Sequence, residues 1–214
     1  MSDRYPGYDV LKKRYSPSWN HQTRAVIDRR LAIDPDRHRF FNDAEWLTMR
    51  ALCDRIIPQP AGRDPVPLAA MVDEKLHDDV RDGHRDARLP PIREAWQRGL
   101  AALDAEARSH HGCQFHELEP AAQDEILTNV QKGNAHHAAW GDMAPALFFT
   151  KRVLHDVVSA YYVHPTAWNE IGYGGPASPR GYVRLNFDRR DPWEASEARP
   201  GHEETARKEN ARVG

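Results

Sequence analysis

Twelve histidines stand among 214 residues, and imidazole is the side chain best suited to ligate a metal or move a proton near neutral pH. Their spacing decides whether that chemistry is available. A metal held inside a helical bundle needs Glu-x-x-His on two helices with further inward carboxylates, and only Glu74-Lys75-Leu76-His77 has that spacing. Leu68, Met71/Val72, Leu76 and Val80 define the apolar face of that helix, and Glu74 falls nearly opposite it. His110-His111 and His136-His137 are adjacent pairs. Neighbours on a helix point about 100° apart, which suits two separate roles better than one shared ion. His110 and His111, near a helix end, suit the negative pole of the helix dipole. Cys and His form no Cys-x-x-Cys or His-x-x-x-His pattern, which argues against structural zinc. His155 lies at the edge of an apolar stripe and reads as a boundary residue, with an interface as the alternative. No metal ligand is expected.

Other chemistries fare no better. There is no Gly-x-Ser-x-Gly elbow, and Ser159 and Ser178 lack the setting of a nucleophile. Neither a dinucleotide-binding nor a phosphate-binding glycine loop occurs. Gly172-Tyr173-Gly174-Gly175 follows no strand and precedes no helix pattern, so its glycines read as turn formers. No catalytic residue and no nucleotide, flavin or haem site is expected on this chain. What remains is the segment 161–176, dense in Trp, Tyr, Gly and Pro, with His164, Asn169 and Glu170 among them. It shows neither helix nor strand period and reads as a long aperiodic C-terminal segment. Large aromatics need a surface to lie on. That surface is either the chain's own core, with Trp168 closing the bundle as a lid, or a partner, since loops and Trp or Tyr anchors dominate recognition. Residue type alone leaves the two balanced.

The elements that would position these residues are helical throughout. Asn42 with Glu45 three residues on forms a capping box before Trp46, Met49, Leu52 and Ile56. Pro58 ends that run. A second helix carries Leu68 to Val80. A third follows Pro90-Pro91, with Ile92, Trp96, Leu100, Leu103 and Ala107 on one face and Gly112 as its stop. Pro120 opens a fourth, closed by Gly133. The fifth and most apolar runs from about Ala144 through Leu147, Phe148, Val153, Leu154, Val157, Val158 and Tyr161, ending before Pro165. The pattern predicts an all-α fold, an irregular bundle of about five helices. Residues 1–40, with a short helix from Gln22 to Leu31, read as an N-terminal arm, 41–187 as the helical domain, and 188–214 as a polar tail with too little apolar surface to order itself, either disordered or wrapped on a partner.

Composition narrows the partners. A net charge of −2 gives no electrostatic case for nucleic acid. No run approaches the ~18 apolar residues of a membrane span. The first twenty residues lack an apolar core of the secretory kind, so a cytoplasmic location is expected. Cys53 and Cys113 are too few for a disulfide framework and are expected to be free thiols.

Five blocks resemble the gluconate 2-dehydrogenase subunit 3 family: Phe41-Asn42-Asp43-Ala44-Glu45; Leu52-Cys53-Asp54-Arg55-Ile56-Ile57-Pro58; Gly112-Cys113-Gln114-Phe115 with Leu118; Gln123-Asp124-Glu125-Ile126-Leu127; and Tyr162, His164-Pro165, Trp168 and Ile171 to Pro176. The resemblance spans roughly residues 40–185. It implies a non-catalytic small subunit that binds and stabilises the large flavoprotein of a GMC-type, FAD-dependent sugar or glycoside dehydrogenase. The FAD would sit in that partner, and a c-type cytochrome or another acceptor would take the electrons. It further implies a docking surface built from Tyr161, Tyr162, His164, Pro165, Trp168, Asn169, Glu170, Tyr173, Gly174, Gly175 and Tyr182, with Trp168 and Tyr173 as anchors. Such subunits often carry a twin-arginine export signal. Here Arg29-Arg30 is followed by no apolar run, so export would depend on a signal carried by a partner, with the periplasm as the destination. The rival reading is a stand-alone, histidine-rich metal-binding helical protein or metalloenzyme.

Overall fold

A computed structural model describes residues 4–83, 86–178, 181 and 193–213. Among these the fold is all-α, with nine α-helices and a single isolated bridge between Trp19 and Ser178 in place of any strand. The helices are α1 (His21–Leu31), α2 (Asp43–Ile56), α3 (Leu68–His77), α4 (Ile92–His111), α5 (Pro120–Lys132), α6 (Pro145–Phe148), α7 (Leu154–Val163), α8 (Pro165–Ile171) and α9 (Glu203–Asn210). The five expected helices are α2, α3, α4, α5 and the run from α6 through α7. Helices α8 and α9 are additional.

Local chemistry sets most of the boundaries. The Asn42 side chain accepts from the Ala44 and Glu45 N–H groups, and the Glu45 carboxylate accepts from the Asn42 N–H, the reciprocal cap expected of that pair. Gly112 and Gly133 close α4 and α5 with φ of 78° and 76°, a conformation that costs glycine nothing. Helix α3 is shorter than its apolar pattern suggested. Asp79 turns to φ 51°, which takes Val80 out of the stripe and leaves it 54% exposed. Between α6 and α7 the helix widens into a π turn, Phe149–Val153, a form that appears chiefly as single turns at functional positions.

The chain divides into two compact units, 34–161 and 1–33 with 162–214. In the first, Trp46, Met49 and Leu52 of α2, Leu76 of α3, Trp96, Leu100 and Leu103 of α4, and Phe148 are buried together with Phe115 and Val157. Phe148 meets Trp96 edge-on at 5.6 Å and 81°. Its ring lies directly over Gly99, where a Cβ would come within 2.1 Å of ring carbon. Gly99 therefore lets α4 and α6 approach at the cost of a less favoured helix residue.

The second unit differs from the expected arm and tail. Tyr8, Val10, Trp19, Ile27, Trp168, Ala195 and Val213 form one buried cluster. Each of these segments is too polar to order alone, but segments far apart in sequence pool their few apolar side chains. Asn210 of α9 is fully buried and donates to the carbonyls of Pro6 and Ser196, both at 3.0 Å. Residues 4–33 are thus part of a core, and α9 is a folded helix.

Candidate functional site

The segment expected to be aperiodic is largely helical. His164 caps α8 by accepting the Thr166 N–H at 3.4 Å, Pro165 occupies its first turn, and Gly172 ends it at φ 65°. Seven residues complete too few turns for a period to show. The signal present was cap chemistry: a capping side chain, Pro at the first helical position and Gly after the last.

The fold sorts the expected docking residues into two groups. Trp168 is 2% exposed; its indole N–H donates to the Tyr162 carbonyl at 2.7 Å, and Tyr173 meets its ring edge-on at 5.5 Å. His164, Pro165 and Gly175 are buried as well. Gly175 sits at φ +69° where a Cβ would come within 3.0 Å of Trp19 and 3.1 Å of Trp168, so the tight approach of these rings depends on a missing side chain. Asn169 accepts the Val10 N–H at 2.8 Å, and the buried Lys13 ammonium donates to the Gly174 carbonyl at 3.0 Å. These residues hold the unit's own core together. Trp168 is thus a core residue of the unit formed by 1–33 and 162–214, packed with Val10 and Trp19. Tyr161 lies in the other unit, buried, and its hydroxyl accepts from Arg63 at 2.9 Å.

The second group faces outward. Tyr162 is 47% exposed and Tyr173 39%, and Glu170 is exposed beside them in sequence. Val163 at 39% and Ile171 at 45% join this group, although residue type gave no reason to select them. Two apolar pairs therefore end α7 and α8, with Trp168 contacting Tyr162 through its indole N–H and Tyr173 through its ring. Tyr182 lies outside the described residues.

The first unit carries a different arrangement. Asp156 is 2% exposed and accepts from the Trp96 indole at 2.7 Å and from Lys75 at 2.9 Å. Lys75 also reaches Asp82 at 2.6 Å, and Arg152 bridges to Asp82 at 3.2 Å. His155 Nδ1 lies 3.0 Å from Asp156 and 3.9 Å from Asp82. Burial alone would raise the Asp82 pKa. The hydrogen bonds and charges of Lys75 and Arg152 outweigh it and hold the carboxyl below its ordinary value. Asp82, His155 and Asp156 are the set among the described residues whose donor atoms come close enough to hold an ion. Two carboxylates already face two fixed cations, so a divalent ion would have to displace Lys75 or Arg152. The arrangement fits an internally balanced ion-pair network. The histidine spacing noted above does not contribute: Glu74 faces Arg39 at 3.7 Å, and His77 faces Asp78 at 2.8 Å.

Both cysteines are free thiols. Burial raises the Cys53 thiol far above the range in which it would ionise, so Cys53 is inert packing in α2.

The fold is that of an all-α protein with exposed aromatic and aliphatic pairs at the ends of α7 and α8. The family model for gluconate 2-dehydrogenase subunit 3 matches residues 43–175, more than half of the chain. The chain belongs to that family. No curated protein and no solved structure matches it.

Proposed function

We propose that this chain is the non-catalytic small subunit of a heteromeric dehydrogenase, binding and stabilising a GMC-type flavoprotein that oxidises a sugar or glycoside. FAD and the catalytic base would belong to the large subunit. Membership of a family named for a dehydrogenase subunit carries the reading. The exposed Tyr162, Val163, Ile171 and Tyr173 support it, because outward tyrosines and aliphatics set on a rigid core suit an interface. Among the described residues no helix is long and apolar enough to cross a membrane.

Expression of the large subunit with and without this chain tests the proposal. Higher soluble yield, flavin content and sugar-oxidising activity are expected when the chain is present. Equal yield, flavin content and activity in both cases would overturn it.

A further inference from the structure

The unit 34–161 contains a cleft of about 1280 Å³, larger than the ~300–1,000 Å³ typical of a small-ligand pocket. Leu89, Ile92, Leu154 and Val158 give it an apolar lining, and the π turn that precedes α7 supplies one wall. The cleft's carboxylates are all engaged. Asp79 is held by Arg81 at 2.6 Å, Asp86 by Arg88 at 2.8 Å, and Asp82 by Lys75 and Arg152. Two further cations act on Asp79 and Asp86 through space, without a bond. Lys151, exposed on the π turn, and Arg93, whose guanidinium lies 4.8 Å over the Phe40 ring, line the cleft with no carboxylate bonded to either among the described residues. Among the described lining residues Arg81, Arg93, Lys151 and Arg152 outnumber Asp79, Asp82 and Asp86, so the surplus charge is positive.

We propose that this cleft receives a peptide segment of the dehydrogenase's large subunit, one that carries carboxylates among apolar side chains. The segment's acids meet Arg93 and Lys151, and its apolar residues cover Leu154, Val158 and Ile92. The size of the cleft favours a length of chain over a metabolite. The positive surplus selects an acidic segment and speeds its encounter. The π turn projects Lys151 next to Arg152, which is itself tied down by Asp82. This proposal rests on the subunit reading above and adds a second contact surface, separate from the tyrosine group.

Two measurements on the full chain test it. The first is fluorescence anisotropy with a fluorescein-labelled octapeptide alternating aspartate and leucine, against a lysine–leucine control. Binding of the acidic peptide alone is expected, weakened about tenfold by Arg93→Gln with Lys151→Gln and by raised salt. The charge-keeping pair Arg93→Lys with Lys151→Arg retains binding and shows that the loss is not one of folding. The second is co-purification with the dehydrogenase subunit, identified by mass spectrometry. The Gln pair is expected to lose that subunit and the charge-keeping pair to keep it. No preference for the acidic peptide, or equal retention of the subunit by wild type and Gln pair, overturns the cleft proposal and leaves the subunit reading standing. A wild-type chain that retains no dehydrogenase subunit overturns the subunit reading itself.

Discussion

At the scale of single residues, buried acids are this protein's main structural commitments. Asp73 is 1% exposed and accepts the N–H groups of Arg39, Phe40 and Phe41 at 2.7, 3.0 and 2.9 Å. It fixes the chain just ahead of α2. Removing it strands three donors, so Asp73→Ala is expected to cost about 3 kcal/mol or more in urea unfolding, with Asp73→Asn costing less. Asp156 is likewise surrounded by Lys75, Arg152 and Trp96. Asp156→Ala strands the Trp96 indole N–H and leaves Lys75 and Arg152 to share Asp82 alone, and should cost about 3–5 kcal/mol by the same measurement. Asp82 gives a pH signature. An unfolded aspartate titrates near ~3.9, and in the fold Lys75 and Arg152 hold Asp82 lower. The stability it contributes is complete above the unfolded value and drains away as pH falls from about 4 through the lower folded value. Melting curves of wild type and Asp82→Asn should therefore converge as pH is lowered through this window and lie furthest apart above it.

At the scale of elements, helix ends and helix crossings are set by different physics. The α2 cap is a local exchange of two hydrogen bonds, and Asn42→Ala should cost about 1 kcal/mol. The crossing of α4 and α6 depends on Gly99 beneath the Phe148 ring. A methyl there would raise the intrinsic propensity of α4, but it collides with a buried aromatic. Gly99→Ala is expected to lower the unfolding midpoint, by about 1–3 kcal/mol of overpacking, where propensity alone predicts a gain. The caps were legible in the sequence because each lies within a few residues. The end of α3 was not, because Val80 keeps the apolar spacing while Asp79 leaves helical conformation.

At the scale of the whole molecule, the aromatic segment near the C-terminus divides its labour. Trp168 is internal to its unit, so Trp168→Ala should act through folding, costing about 3–5 kcal/mol, before any effect on a partner. Tyr162→Ala combined with Ile171→Ala removes exposed surface. It should shift stability by no more than about 0.5 kcal/mol per site while weakening retention of the large subunit by about 2 kcal/mol. Thermal melts and pull-down affinities of the two variants separate the roles.

The helical class, the caps at Asn42, Gly112 and Gly133 and the family can all be read from neighbouring residues, where periodicity, cap chemistry and motif blocks are written. Which aromatics turn inward is settled by packing across the chain, which also makes residues 4–33 part of a core with Trp168 and Val213. The same packing brings Lys75, Asp82, Arg152 and Asp156 into one network. The difference is one of range. Burial and ion pairing depend on partners tens to more than a hundred residues away. Tyr162 and Trp168, alike as aromatic residues in one short segment, end on opposite sides of that divide because of what the distant chain places over them.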